Sequence, residues 1–316
     1  MTGEVQYLRK CDLIVSNDTG DALNLAGLTI NFAIKKTDGQ TPNTAAIRVY
    51  NLNDDTLKRI KKEFTRVTLQ AGYESNYGII FDGNVKQYTE GRENVVDHFL
   101  DIQAADGDES YNFAVVNATL SAGAKQRDQI EAAAKTMQQL GGTQTGYISD
   151  DTDGEALPRG KVMYGMARDY IRQSSQSSAC SWTIQNGKIQ VVPLTGILPG
   201  QAVVLNSQSG LINAPEQTND GIKFRCLINP QLVIGGMIQI NEKDIVMAKL
   251  DNEPVKLKKD GTAPEKKLPA QLQHDGFYRL ITATISGNTR GNDWYIDGVC
   301  LSIDQTAPVG KKVQGQ

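Results

Sequence analysis

Histidine and cysteine, on which most nucleophilic, acid–base and metal chemistry rests, are scarce in this chain of 316 residues, which has two of the first and four of the second. The cysteines, Cys11, Cys180, Cys226 and Cys300, lie far apart. No pair has metal-ligand or redox-motif spacing and nothing resembles a disulfide framework, so they read as reduced core residues of a chain made in a cytoplasm. Also missing is any stretch of about 18 apolar residues, and Met1 to Tyr7 offers no basic region followed by an apolar run. The expectation is a chain with no membrane span and no export signal. Charge of one sign is lacking too. With 33 bases against 36 acids the net charge is −3, and no basic stripe stands out, which argues against a tight grip on a phosphate backbone. A near-neutral to acidic surface would suit a conduit through which DNA slides without sticking.

The residues that could carry chemistry lack their partners. Neither His98 nor His274 has a glycine-flanked serine or a cysteine motif nearby, so neither reads as part of a nucleophilic site. Ser149-Asp150-Asp151-Thr152-Asp153-Gly154 looks like the start of a calcium loop. A serine holds its first ligand place, however, and Gly160 stands where the bidentate Glu belongs, so the stretch reads as a solvated acidic turn. The glycine-rich run from Gly141 to Gly146 follows a helical pattern and lacks the Gly-Lys-Ser/Thr ending of a phosphate cradle; it is a helix stop. Asp106, Asp108 and Glu109 hold enough carboxylates for a glycosidase pair, but in an Asp-Gly turn they read as hydrated. The sequons at Asn17 and Asn117 carry no weight without a secretion signal. Trp182 and Trp294 sit in alternating strands, where large rings pack a core or an interface. No cofactor, metal or enzymatic activity is expected.

The length exceeds one ordinary hydrophobic core, so two or three domains are expected. Residues 1–107 read as about six strands in a simple meander that closes into a small barrel, interrupted by a short helix after Asn53 with Leu57, Ile60 and Phe64 on one face. Residues 108–200 read as a compact α/β module. It has a helix near 124–140 carrying Ile130, Ala134, Met137 and Leu140, and a second near 160–173 carrying Val162, Met163, Met166, Tyr170 and Ile171. A hairpin then turns at Asn186-Gly187, where both positions require positive φ. Residues 201–316 return to strands and read as a second barrel, with a Lys/Pro-rich loop over 249–270 too polar to bury. The fold class is therefore mainly β with an α/β insertion: two tube-like antiparallel β-barrel domains flanking a small α/β module. No short-period repeat is visible, although two flanking β domains leave room for a diverged duplication.

Three stretches carry a family resemblance. Ala45 to Thr56, containing Tyr50-Asn51-Leu52, followed by Val67 to Tyr73 with its Gly72-Tyr73 and by Ile79 to Gly83, resembles the opening domain of phage baseplate hub proteins. Gly210 to Pro215, then Gly221 to Pro230 ending in Asn229-Pro230, then Gly235-Gly236, is similar to the second barrel of that family. Gly276 to Leu280 with Gly287 to Trp294, including Arg290 and Gly291, looks like its closing strand pair, with Asn288 where Asp is expected. The resemblance covers nearly the whole chain. Its motifs are packing and turn motifs, and related barrels recur in tail tubes, distal tail proteins and type VI secretion spikes.

What the resemblance implies is a structural hub of a contractile tail rather than an enzyme. Three copies would form a ring, and two tube-like barrels per copy would join the sixfold tail tube to the threefold spike around a DNA channel. The implied partners are two further copies, the tail tube protein, the central spike protein, other baseplate proteins reached by the middle module, and the tape measure protein. The implied place is the baseplate of the virion after synthesis in the host cytoplasm. Edge strands pairing between neighbours would close such a ring. Leu28, Ile30, Phe32, Ile222, Phe224, Met237 and Ile238 are strand residues that either pack a subunit boundary or fill the barrel cores. Two other readings stay open: a cell-wall lysin or carbohydrate-binding tail protein using Asp106 or Asp108, and a component of a non-contractile tail on the same barrel.

Overall fold

A computed structural model of the chain describes residues 8–17, 20–218, 220–241, 245 and 276–303. The Lys/Pro-rich segment 249–270 and His274 lie outside the described residues. The first third forms β1 (Arg9–Ser16), β2 (Ala22–Asn24), β3 (Ile30–Thr37), β4 (Thr44–Tyr50), helix α1 (Asp54–Glu63), β5 (Arg66–Tyr73), β6 (Asn76–Arg92) and β7 (His98–Ala105). Period-two alternation makes these strands: in β3, Ile30, Phe32 and Ile34 are buried while Asn31, Ala33 and Lys35 face out. Helix α1 begins where the sequence says it should, because the Asn53 side chain accepts the Asp55 N–H at 3.0 Å and Ile60 is buried beneath it.

The middle segment holds α2 (Asp108–Phe113), β8 (Val115–Leu120), α3 (Gln126–Gly141), β9 (Gln144–Ile148), a short 3-10 turn at Asp150–Asp153, β10 (Lys161–Met166), α4 (Ala167–Ser177), β11 (Cys180–Gln185) and β12 (Lys188–Pro193). Gly142 ends α3 in the left-handed region, its N–H donating to the Gln138 carbonyl. Ile130, Ala134 and Met137 are buried, but Leu140 faces solvent. The helix expected near 160–173 is instead strand β10 followed by a later helix. Within β10 the side chains alternate, Met163 buried between exposed Val162 and Tyr164, and Gly165 at φ +150 would cost a helix interior. A short apolar run of this kind satisfies both periods, and pairing with β8 decides it. Asn186 and Gly187, both at positive φ, turn the β11–β12 hairpin as the sequence requires.

The last segment supplies β13 (Val203–Leu205), β14 (Leu211–Thr218), β15 (Gly221–Leu227), β16 (Met237–Ile240), β17 (Phe277–Asn288) and β18 (Trp294–Ser302). These strands and β1 to β7 share one 13-stranded sheet in the order β14-β15-β18-β17-β3-β4-β7-β6-β5-β1-β2, with β16 against β17 and β13 against β16. The path corrects the simple meander, because β1 lies beside β5 and the β3–β4 hairpin lies beside β7. Among the described residues the sheet does not close into a barrel. The first and last segments meet edge to edge, β17 pairing antiparallel with β3 from Thr282↔Thr37 to Asn288↔Asn31. Phe32, Ile34, Ile285 and Trp294 bury a common face across that seam, each worth roughly 1.5–3 kcal/mol. One hydrophobic core draws on both segments, while a second, around Trp182, Ile130 and Ile171, belongs to the middle segment.

Candidate assembly interface

The acid cluster at the end of β7 is used for packing. Asp106 is fully buried, and its two carboxylate oxygens accept the N–H groups of Asn186 at 2.6 Å and Gly187 at 2.8 Å. Lys36, also buried, donates to Asn186 Oδ1 at 2.7 Å. Burial pushes the Asp106 carboxyl up to about 6 and the Lys36 ammonium down to about 8, each shift being opposed by the other's charge. Asp108 meets Lys86 at 3.1 Å. Asn43 donates to the Ile184 carbonyl and to Gln185 Oε1, both at 2.9 Å. Arg279 on β17, buried, donates to the carbonyls of Pro193, Leu194 and Gly196 at 3.0, 3.0 and 2.8 Å and pairs with Asp38. Together these polar groups fasten the middle segment's hairpin to the large sheet.

The other chemical candidates have structural occupations as well. In the acidic turn, Asp150 and Asp153 accept from Arg127 at 3.3 and 3.0 Å, and Ser149 caps the turn through the Asp151 N–H. Trp182 is buried and stacks on Tyr111 with centroids 6.1 Å apart. Trp294 is buried edge-on to Phe32 at 5.7 Å. His98 opens β7 on the exposed side, its backbone N–H donating to Asn51 Oδ1 at 3.1 Å.

The family-motif residues fall into turns and seams that the structure brings together. Asn51 adopts φ +56 and ties the end of β4 to Asp97 through its amide at 3.0 Å. Tyr50 sits opposite Phe99, and Leu52 packs partly buried on the core. Gly72 allows no side chain, since a Cβ there would lie 2.1 Å from the Asn76 carbonyl oxygen. Buried Tyr73 and that turn meet the distant Asn229-Pro230: Asn76 donates to Asn229 Oδ1 at 2.9 Å and Gly78 abuts the Pro230 ring. Gly210 accepts the Leu227 N–H, Gly235 donates to the Leu280 carbonyl, and Gly221 lies against the Cys300 carbonyl. Pro215 is buried in a bulge of β14. Asn288 serves where Asp was expected, because its Oδ1 accepts the N–H groups of both Arg290 and Gly291 at 2.9 Å. Arg9 then donates to the Gly291 carbonyl at 2.8 Å and lies over Trp294. Of the residues offered for a boundary or a core, Ile30, Phe32, Ile222, Phe224 and Ile238 are buried, and Leu28 and Met237 are partly so.

A repeat that went unseen in the sequence organises the sheet. Strands β3-β4-β7-β6-β5 and β14-β15-β18-β17-β16 follow the same order, all antiparallel. In the first unit Arg48 forks onto Asp101 at 2.7 and 2.9 Å and lies over the Phe99 ring. In the second Arg225 forks onto Asp297 at 2.6 and 3.0 Å and lies over the Tyr295 ring. Each aspartate is directly across from its arginine, and each unit has a bulge in the matching strand, after Val85 and after Leu280. The sequence trace is Asp97-x-Phe99-Leu100-Asp101 and Asp293-x-Tyr295-Ile296-Asp297.

The two units differ at one edge. In β17, residues 282–288 are bonded to β18 on one side and β3 on the other. In β6, residues 85–92 are bonded to β7, while β5 covers only 76–84. Lys86, Gln87, Thr89, Glu90 and Arg92 are exposed there, and among the described residues no backbone group bonds to 86–92 from the side away from β7. At the far end of the sheet β14 has β15 as its only strand neighbour among the described residues.

The profile of the family described as Baseplate hub gp41 matches residues 13–243. The 43 kDa tail protein of prophage MuSo2 from Shewanella oneidensis has a similar fold, with 7% identity over 93% of this chain and 99% of that one and a TM-score of 0.55. The tail protein from Neisseria meningitidis MC58 compares at 7% identity over 94% and 97%, TM-score 0.55. A type VI secretion system component from E. coli compares at 8% identity over 95% and 78%, TM-score 0.50. At such identities the likeness is one of fold. No curated protein is significantly similar in sequence.

Proposed function

The chain belongs to the baseplate hub gp41 family, and from that premise we propose that it is the hub of a contractile tail, three copies closing a ring between the tail tube and the central spike. A role in the phage tail baseplate follows from the family itself. The observation that carries the finer reading is the internal repeat: two like sheet units per chain, continuous across the β17–β3 seam. Three such chains present six like units, which is how a threefold spike and a sixfold tube can share one adaptor. The net charge of −3 supports a channel that passes DNA without binding it. The two halves act as tube-like barrel units facing the tail tube and the spike, and residues 108–200 project outward to other baseplate proteins.

The mass of the native protein, alone and with the spike protein, tests this. A trimer, or a monomer that becomes three-to-three with the spike, is the expected result. A chain that stays monomeric beside every tail protein would overturn it, as would turnover of peptidoglycan by the purified chain.

A further inference from the structure

We propose that the open edge of β8 is a docking site for an extended segment of another baseplate protein, apolar on one face and carrying an acidic residue on the other, which adds antiparallel to the β8–β10 ribbon as its third strand. This names the surface through which residues 108–200 reach those proteins, and so it rests on the hub reading.

Among the described residues β8 and β10 pair only with each other, which leaves the ribbon two edges. The β10 edge is sealed, because the Tyr170 hydroxyl accepts the Tyr164 N–H at 2.9 Å and donates to the Tyr164 carbonyl at 3.3 Å. The β8 edge is open. Residues directly across an antiparallel pair either bond to each other or both turn away. Asn117, across from Tyr164, therefore turns its N–H and C=O away from β10. The bond from the Ala167 N–H to the Ala114 carbonyl at 2.9 Å fixes the same phase. With a period of two the outward row is Val115, Asn117 and Thr119, and no described residue bonds to their backbone groups. Nor does β8 have the lysine, proline or bulge that commonly blunts an edge.

The chemistry of the added strand follows from the two faces it would extend. The outer face of the ribbon shows Val115, Val162 and Tyr164 to solvent, beside the exposed Phe113 that precedes β8, and bears no charge. Cross-strand neighbours on one face pack together, so apolar residues belong at the outward positions of the new strand. On the inner side an open groove lies between the end of β8 and α3, lined by Leu120, Gly123, Asp128, Glu131, Ala132 and Lys135. Its wall includes no residue of β10, whose Lys161 instead donates to Gln129 on another flank of α3 at 2.6 Å. The groove therefore flanks β8 on its open side. Asp128 accepts the Lys125 N–H at 2.7 Å and Glu131 pairs with Arg127 at 3.1 Å. Lys135 is the charge in the groove that has no partner among the described residues. Inward side chains of a strand on β8 hang over this groove, and a carboxylate among them meets Lys135. The backbone row selects a strand over a helix, and Lys135 selects its charge.

Peptide titration on the full chain tests this, with fluorescence anisotropy of a labelled, end-capped peptide Val-Thr-Val-Glu-Val-Thr-Val as the readout. Its valines lie across from the outward row of β8. N-methylation of those valines removes the ladder donors and keeps the side chains, and should weaken binding by about tenfold or more. Asn117→Pro removes one donor from the open side and leaves the bonds to β10, so it should weaken binding likewise while Trp182 fluorescence matches the parent. Lys135→Glu should weaken the glutamate peptide by about threefold, the size of an exposed ion pair, and strengthen a peptide with lysine in that place. In intact tails, amide exchange at 115–119 should be slower than in the isolated hub. Binding that ignores N-methylation overturns the strand addition, and binding that ignores the charge reversal overturns the acidic partner. Hubs that form their ring yet bind no peptide and gain no protection at 115–119 in tails overturn the docking edge and leave the hub reading standing. A chain that stays monomeric beside every tail protein overturns the hub reading, and the partner named here with it.

Discussion

Asp106 and Lys36 are ionisable groups placed where water cannot reach them, and the β11–β12 hairpin depends on both. Asp106 replaces water at the N–H groups of Asn186 and Gly187, and Lys36 holds the Asn186 side chain. Burial sets the pH behaviour. With its carboxyl raised from 3.8 to about 6, the stability tied to the Asp106 proton is complete below about pH 4 and is lost as pH rises through 6. The Lys36 ammonium, lowered from 10.5 to about 8, contributes fully above its ordinary value and loses that contribution as pH falls through 8. Between about 6 and 8 both are charged, and their attraction offsets the two desolvation costs. Lys36→Met removes one of the effects that hold the Asp106 carboxyl down. The decline in stability with rising pH should then extend above 6 and deepen by about 1–3 kcal/mol relative to the parent. Urea midpoints measured from pH 4 to 8 check this, and parallel profiles would show that the two groups do not communicate.

Three strand pairs share a device for bending the sheet. Phe32 lies across from Gly287, Phe224 from Gly298 and Phe99 from Gly91, and in each case the ring occupies the space a Cβ would need, with closest approaches of 2.2, 2.4 and 2.6 Å. A ring folded over a cross-strand glycine shields backbone that glycine would leave wet and lets the sheet curve. Gly287→Ala should cost about 1–3 kcal/mol by overpacking against Phe32. Adding Phe32→Leu should return part of that cost, so that a double-mutant cycle by chemical denaturation gives a coupling of about 0.5 kcal/mol or more. Additive effects would mean that the ring does not set the glycine requirement. Which ring meets which glycine could not be read from the sequence, because cross-strand pairing depends on register.

At the scale of the molecule, the question is whether the middle segment stands or falls with the large sheet. Trp182 sits in one core and Trp294 in the other, both buried, so each reports on its own half. The fastenings through Asp106, Asn43 and Arg279 tie the two cores together. In chains carrying Trp182→Phe or Trp294→Phe, the remaining tryptophan's fluorescence and the far-UV circular dichroism should give one coincident unfolding transition. A midpoint for the Trp182 signal well below that of the circular dichroism would show the middle segment opening alone.

Local pattern determined much of this protein. Alternation marked β3, β4, β7, β15, β17 and β18, Asn53 and Gly142 marked helix ends, and Asn186-Gly187 marked its hairpin. The turn and packing motifs around Tyr50-Asn51-Leu52, Asn229-Pro230 and Trp294 were enough to indicate the family. These signals survive because the residues that satisfy them are neighbours in the chain. Tertiary structure alone decided that β10 is a strand, since a short apolar run fits either period until β8 lies beside it. It also decided that β17 joins β3, that the repeat runs through a single sheet, and that Asp106 faces a hairpin rather than solvent. A strand presents the same backbone donors and acceptors to every neighbour, so its partner is chosen by which apolar faces bury together across long separations in sequence, and that choice leaves no local mark.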